Sequence, residues 1–201
     1  MADWNERYLG EDYAFGTEPN EFVLSVAHHL PRKGKALDLA TGEGRNGIFL
    51  AQHGLEAEGV DMSEVGLAKA ARLAVEKGVS FVTRVADITA MAIPEAHYQV
   101  IASVFCHFPE PQRSDLARRI IEGLAPGGYF VGVYYHPEQV MLGTGGPSDP
   151  ERLGTLREMV DTFEGLEWIV VEHVRREVRE GSRHQGMSSL VHLLGRKPEE
   201  A

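Results

Sequence analysis

From Ala36 to Tyr135, short apolar runs alternate with stretches whose apolar residues recur every three or four positions. Short apolar runs bounded by turn signals predict buried strands, and the longer period predicts helices. Residues 37–40 form the first expected strand, apolar except for Asp38. Residues 46–53 read as a short helix ended by Gly54, and 55–60 as a second strand. Ser63 is placed to cap a helix carrying Leu67, Ala68, Ala71, Ala74 and Val75 on one face, with Gly78 at its end. Strands follow at 80–85 and 98–104. A helix then carries Leu116, Ile120 and Leu124 with Ile121 beside them. Pro126-Gly127-Gly128 ends that helix and leads into a fifth strand at 129–135, rich in aromatic and β-branched residues. Strand–helix alternation of this kind predicts a parallel sheet covered on both faces.

The flanks differ. Residues 143–150 are rich in Gly and Pro. Asp149 is placed to cap a helix with Pro150 in its first turn and Leu153, Leu156, Val160 and Phe163 as its buried stripe. Two strand-like runs, 167–174 and 187–194, are separated by about a dozen mostly charged or glycine residues. No helical pattern fills that gap, so an antiparallel hairpin is expected rather than another crossover. The first 35 residues fit no strand–helix unit and hold Trp4, Tyr8, Tyr13, Phe15, Pro19 and Phe22, with a helical pattern over 21–30. We read 1–35 as a cap or lid segment and 36–197 as the main body of one domain. A segment simply packed on the sheet edge stays an alternative.

Composition narrows the class. At 201 residues, 43% hydrophobic and 25% charged, the chain suits one ordinary globular domain. A net charge of −10 argues against nucleic acid as the main partner. Arg175, Arg176, Arg179 and Arg183 cluster, but Glu172, Glu177 and Glu180 interleave with them, as on a solvated mixed-charge face. Cys106 is the single cysteine, which rules out an internal disulfide and a multi-cysteine zinc site. Residues 1–6 lack a signal-peptide pattern, and no apolar run approaches the ~20 residues of a membrane span. A cytoplasmic protein without a membrane partner is expected, as monomer or homodimer. The nine histidines show neither His-x₃-His nor His-Glu-x-x-His spacing, so no metal is expected.

The most informative stretch is Ala36-Leu37-Asp38-Leu39-Ala40-Thr41-Gly42-Glu43-Gly44-Arg45-Asn46, with Asp61 closing the next strand. It reads as strand, glycine turn and helix start. Glycines let the backbone approach a ligand, and the acid can accept ribose hydroxyls, so an adenosine-bearing cofactor is indicated. Residues 42–47 also match the dinucleotide pattern G-x-G-x-x-G, which alone is weak. Three features favour S-adenosyl-L-methionine over a nicotinamide. Asp38 interrupts the first strand, where it can orient the turn through backbone N–H groups. Asp87-Ile88 follows the third strand, where an acid and an aliphatic residue can hold the adenine amino edge and face. The chain also leaves no room for a separate substrate domain.

Residues 36–135 resemble the core of the class I S-adenosylmethionine-dependent methyltransferases. The resemblance lies in residues 37–44, in Gly59-Val60-Asp61-Met62-Ser63, in Ala86-Asp87-Ile88 and in Leu124-Ala125-Pro126-Gly127-Gly128-Tyr129. Within that superfamily, residues 42–46 and Gly16-Thr17-Glu18-Pro19-Asn20 resemble the tellurite-resistance and thiopurine methyltransferase-like branch. The implied fold is α/β, a Rossmann-like three-layer sandwich whose seven-stranded, mostly parallel sheet ends in an antiparallel hairpin. The implied cofactor is S-adenosylmethionine and the implied activity is methylation of a small molecule. Gly42 and Gly44, with Asn46 at the helix start, would bind the methionine part and ribose. Asp61 would hold both ribose hydroxyls and Met62 would pack on adenine, with Asp87 and Ile88 at its edge and face. Ser103 and Val104 would flank the sulfonium, and Tyr8 and Trp4 would close over the methionine end. Ala40 and Thr41 stand where many members carry glycine and cysteine. Because position 40 chiefly offers its carbonyl, that change is expected to be tolerated.

Methyl transfer is an in-line displacement that needs the acceptor atom held ~3–3.5 Å from the methyl carbon. A base is required only for a protonated acceptor, not for a thiolate or a selenium or tellurium anion. His107, just past the fourth strand, is the first candidate base, with a loop-bonding role as the alternative. His136 and His184 are weaker candidates, His192 reads as structural, and Cys106 as a packed thiol. A nicotinamide-dependent oxidoreductase and a non-catalytic cofactor-binding module remain as alternatives.

Overall fold

The computed structural model describes residues 4–199. Helix α1 (Trp4–Tyr8) and helix α2 (Glu21–Val26, extended by a 3₁₀ turn at Ala27–His29) precede strand β1 (Lys35–Leu39). Then come α3 (Arg45–His53), β2 (Glu56–Asp61), α4 (Glu64–Glu76), β3 (Val82–Val85), β4 (Tyr98–Val104), α5 (Gln112–Gly123) and β5 (Leu124–Tyr135). The chain continues through α6 (Gln139–Leu142), a 3₁₀ turn at Pro150–Arg152, α7 (Leu156–Thr162) and the hairpin β6 (Glu167–Glu180) and β7 (His184–Arg196).

The seven strands lie in the order β3-β2-β1-β4-β5-β7-β6. The first five are mutually parallel, while β7 runs antiparallel to β5 and to β6. The order reverses between β1 and β4. In open α/β sheets the crevice outside the strand ends at such a switch point is where ligands bind. Side chains alternate across the sheet and build a core on each face. One face packs Leu37, Leu39, Ile101 and Phe130 under α5 and α7. The other packs Ala36, Val100, Ala102 and Val131 under α2 and α3. The fold class is thus the expected three-layer sandwich. Among the described residues no helix is long and apolar enough to cross a membrane.

Four local expectations are corrected. The buried side of α4 is Gly66, Leu67, Lys69, Ala70, Leu73 and Ala74, whereas Val75 is 81% exposed. Alanines stand on every side of this helix, so its period is blurred. No single helix grows from Asp149. Asp149 caps only the 3₁₀ turn, and α7 starts afresh at Thr155, whose hydroxyl and Glu158 form a reciprocal capping box. Leu124 begins β5 instead of ending a helix and pairs with Tyr98. The hairpin ladder runs from Glu167 to Glu180, with one register shift between Trp168 and Val170, well past residue 174. Its far end still alternates, but Arg176 and Glu180 take inward positions. Arg176 pairs with Glu21, and Glu180 is buried, so Glu180 leaves the solvated mixed-charge face assigned to it.

Candidate active site

The turn after β1 winds tightly because Ala40, Gly42 and Gly44 all take left-handed φ values, 54°, 56° and 89°. Glycine does so freely, whereas an alanine there costs roughly 1–2 kcal/mol. The glycine-to-alanine change at position 40 is therefore accommodated with strain. Two buried carboxylates hold the turn. Asp38 Oδ2 accepts from the Thr41 hydroxyl at 2.5 Å and from the Gly47 N–H at 2.8 Å. Burial pushes the Asp38 carboxyl up to about 6 against the pull of those two bonds. Asp61 Oδ2 accepts from the Gly42 N–H at 2.8 Å, and Oδ1 from the Ser63 N–H at 2.9 Å. Burial raises its pKa too. The Met62 N–H also bonds to this carboxylate, and a carboxylate has about four acceptor sites, so Asp61 keeps capacity for a ribose hydroxyl.

The N-terminal segment closes on this turn. Glu43, which sequence reasoning did not single out, forms a buried ion pair with Lys69 at 2.8 Å, and Lys69 also donates to the Asp12 carbonyl at 2.7 Å. Arg45 donates to the Phe15 carbonyl at 3.2 Å and to Glu180 at 2.6 Å. Glu180 also accepts from Asn20 at 2.7 Å. Burial alone would raise Glu180, but its His184 and Arg45 neighbours hold it at about 2. Asn46 faces the same segment, its side-chain oxygen taking the Asn20 N–H at 2.9 Å. Tyr8 lies directly over the turn. A Cβ on Gly42 would stand 2.6 Å from the Tyr8 hydroxyl, and one on Gly66 would meet the same ring. Trp4 stacks on Tyr8 at 5.8 Å. The space that the glycines leave is therefore a real recess, and Tyr8 fills it here.

Met62 is 46% exposed beside Asp61. Asp87 is exposed and accepts from the Thr89 N–H at 2.9 Å and hydroxyl at 2.6 Å, which lower its pKa. Ile88 is buried, and Arg119 pins its loop by donating to the carbonyls of Ile88, Thr89 and Met91. At the end of β4, Ser103 accepts the Tyr134 hydroxyl at 2.9 Å, while Val104 packs in the core of the opposite face.

Beyond Val104 the chain turns through Phe105, another non-glycine residue with a left-handed φ of 56°. The Cys106 thiol is buried and pushed up to about 12, so it stays protonated, in line with a packed thiol. His107 follows with its Nε2 sealed from solvent and without a hydrogen-bond partner. Burial, and then the neighbouring His184 and two arginines, push the His107 imidazole down to about 3. The Tyr135 hydroxyl and His184 Nδ1 are likewise buried and unpartnered. Nearby Ser188 gives its own proton to the Gly186 carbonyl at 3.3 Å, and Glu180 stands 3.7 Å from His184. An open hollow of about 400 Å³, lined by Pro109, Glu110, Arg113, Pro137 and Leu153 among others, lies alongside. His192 bonds Glu172 at 2.9 Å and stacks on Phe22, as a structural histidine would.

His136 turns away from this group and stacks on His173 at 3.9 Å. With Glu138 these two bring ligand-type atoms within 4.8 Å of one another, a convergence across strands that spacing along the sequence does not reveal. Arg175 donates to the Glu138 carboxylate at 2.8 Å, so a guanidinium already stands where a cation would.

Residues 36–128 match the family described as a methyltransferase domain. The match runs from β1 into β5 and takes in the glycine turn and Asp61. The chain is similar to the 2-heptyl-1-hydroxyquinolin-4(1H)-one methyltransferase of Mycobacteroides abscessus, 26% identical over 152 residues. That match covers 73% of this chain and 65% of the relative, so the chain spans just under two thirds of that protein. Among solved structures, TehB from Haemophilus influenzae superposes with a TM-score of 0.72 at 19% identity, over 96% of this chain and 65% of TehB. An S-adenosylmethionine-dependent methyltransferase from Methanosarcina mazei gives 0.70 at 16% identity, over 88% of this chain and 98% of that one. The matched segment thus carries the glycine turn and Asp61 at the switch-point end of the sheet.

Proposed function

We propose that this chain transfers the methyl group of S-adenosylmethionine to a small-molecule acceptor. The observation that carries the reading is the turn at Ala40–Gly44, coiled by three left-handed residues between two buried carboxylates at the switch point. Gly42 and Gly44 give a ligand access to the main chain, with Ala40 offering its carbonyl and Asn46 beside them. Asp61 uses its remaining lone pairs for the ribose hydroxyls. Met62, Asp87 and Ile88 hold adenine, and Ser103 and Val104 border the methionine chain. Tyr8 withdraws from Gly42 to admit the ligand and then covers it. Bound S-adenosylmethionine supplies an already activated sulfonium methyl group, so the protein's share of the work is positioning. For a protonated acceptor, neutral His107 accepts the acceptor's O–H as a hydrogen bond at Nε2; burial disfavours its imidazolium, so the proton leaves to water as the methyl group arrives.

A small acceptor fits the relative from Mycobacteroides abscessus, whose name specifies a hydroxyquinolinone. The narrower placement in the tellurite-resistance branch, with its soft nucleophiles, draws support from residues 16–20 and 42–46 and from the likeness to TehB. Calorimetric titration with S-adenosylmethionine and its demethylated product tests the reading: both are expected to bind. Silence from both at millimolar ligand removes it. Thermal protection by NAD alone selects the oxidoreductase alternative. Binding without transfer to any of a broad acceptor panel selects the non-catalytic one.

A further inference from the structure

Three buried side-chain atoms lack a close hydrogen-bond partner among the described residues: His107 Nε2, Tyr135 Oη, which has only the Ser188 hydroxyl near it, and His184 Nδ1, which has only the Glu180 carboxylate at 3.7 Å. They sit in one ring cluster. The His107 and Tyr135 rings are 5.6 Å apart and nearly parallel, and Tyr135 and His184 are 5.8 Å apart. Phe105 packs on Tyr135 at 4.8 Å and on His184 at 4.5 Å, and Phe15 covers His184 at 4.5 Å. Buried polar groups in native structures are nearly always paired, so a concentration of unpaired ones marks a place where a partner is missing.

We infer that His107, Tyr135 and His184, boxed by Phe105 and Phe15, bind the methyl acceptor, and that this acceptor is a flat, uncharged aromatic compound bearing a hydroxyl. The inference rests on the function proposed above and deepens it. The three groups occupy the ends of β4 and β5 and the start of β7, on the far side of the switch point from Ala40–Gly44. A neutral imidazole offers one donor and one acceptor, and a phenol offers both, so together they match a hydroxyl rather than a formal charge. Arg113 and Arg152 act on His107 but do not belong to the ring cluster, so a charged acceptor would lie among aromatic faces rather than on a counter-ion. The one carboxylate close by, Glu180, is already neutralised by Arg45. Flat rings on both sides favour a flat guest through stacking. The strained backbone of Phe105 belongs to the same picture, because strain of this kind collects at ligand clamps.

The box is closed by contacts that can part. The Phe15 main chain is tied by a 3.4 Å bond from its N–H to Glu43 and a 3.2 Å bond from Arg45 to its carbonyl, which leaves its ring held by packing, and the other side is a loop in which Gly145 and Gly146 lie against Tyr135. A Cβ on Gly145 would stand 3.2 Å from the Tyr135 hydroxyl. The hollow beside Leu153 offers a way in, since Leu153 shares the apolar cluster of Tyr135 and Phe105.

The test uses the full chain saturated with S-adenosylhomocysteine, titrated by ligand-observed NMR with 2-naphthol, 2-methoxynaphthalene and 2-naphthoate. 2-Naphthol should bind about tenfold or more tighter than either of the others. Tyr135→Phe and His107→Asn should each weaken 2-naphthol about fivefold or more, leaving S-adenosylhomocysteine affinity within about twofold because the two sites share no side chain. Tyr135→Phe keeps the ring and removes only the unpaired hydroxyl, so its melting temperature should hold or rise. A fall would show that the hydroxyl is structural and would overturn the inference. Equal binding of all three probes, or no effect of either substitution on 2-naphthol, overturns it as well. Binding of S-adenosylhomocysteine with no binding of 2-naphthol overturns this inference and leaves the cofactor reading intact. Failure to bind S-adenosylhomocysteine overturns both.

Discussion

On the β1 side of the cleft, Asp38 holds Thr41 and Gly47, Asp61 holds Gly42 and Ser63, Glu43 holds Lys69, and Arg45 holds Glu180. On the β4–β5 side, His107, Tyr135 and His184 end in sealed atoms without a close hydrogen-bond partner among the described residues, the Glu180 carboxylate standing 3.7 Å from His184. An unpaired buried polar group costs about 1–3 kcal/mol, so the second arrangement is expensive unless something else completes it. The first region is a finished framework that offers a ligand mostly main chain. The second is unfinished, and its shape follows from what it lacks. On the proposed reading, a ligand common to many methyltransferases is met by a fixed scaffold and the acceptor by groups particular to this chain.

The sharpest way to break the finished side is Arg45→Met, which leaves Glu180 buried without its cation. Urea denaturation should show a loss of about 3–5 kcal/mol. Next comes pH. Asp38 is raised in the folded state, to about 6, from an ordinary value near 3.9. Between those values the native state binds more protons than the unfolded chain. The Asp38 contribution is therefore fully present below about pH 4 and lost as pH rises through about 6, on the order of 2–3 kcal/mol. Denaturation curves of Asp38→Asn should lack that decline. Glu180 has the opposite sign, its contribution being lost as pH falls from about 4.5 to about 2. Asp61→Ala should weaken S-adenosylmethionine by about 1–3 kcal/mol in calorimetry, and unchanged affinity would place the ribose elsewhere. On the unfinished side the direction reverses. Tyr135→Phe should raise the stability of the ligand-free protein by up to about 1 kcal/mol while costing acceptor binding. Ala40→Gly should give the smallest effect, a gain below about 1 kcal/mol, since relief of the left-handed strain is offset by glycine's greater freedom in the unfolded chain.

The finished side was largely legible in the sequence because its determinants are local. Asp38, Gly42 and Gly44 lie within seven residues of one another, and Asp61 ends the next strand. The strand–helix alternation gave the parallel sheet for the same reason, each element having its own period. What stayed hidden depends on distant partners. Lys69 and Glu180 look like solvated charges until Glu43 and Arg45 are placed beside them. The far half of the hairpin reads as loop because its inward positions are charged rather than apolar. The aromatic box draws Phe15, Phe105, Tyr135 and His184 from four separate parts of the chain, and no spacing rule connects them. His107 was visible as a candidate only because it follows β4. The capping box at Thr155 and Glu158 is the exception, a local signal that was present and overlooked.

The tie between Asn20 and Glu180 spans 160 positions, and that between Arg45 and Glu180 spans 135. On the ribosome, Arg45 and Asn20 emerge long before the carboxylate that will receive them has been synthesised. Until then the guanidinium has only the Phe15 carbonyl and water, and residues 12–20 have Glu43, Asn46 and Lys69 to meet but not the carboxylate that joins them to the hairpin. The front of the cleft is accordingly the last part of the nascent protein to set, after the parallel sheet behind it has already formed.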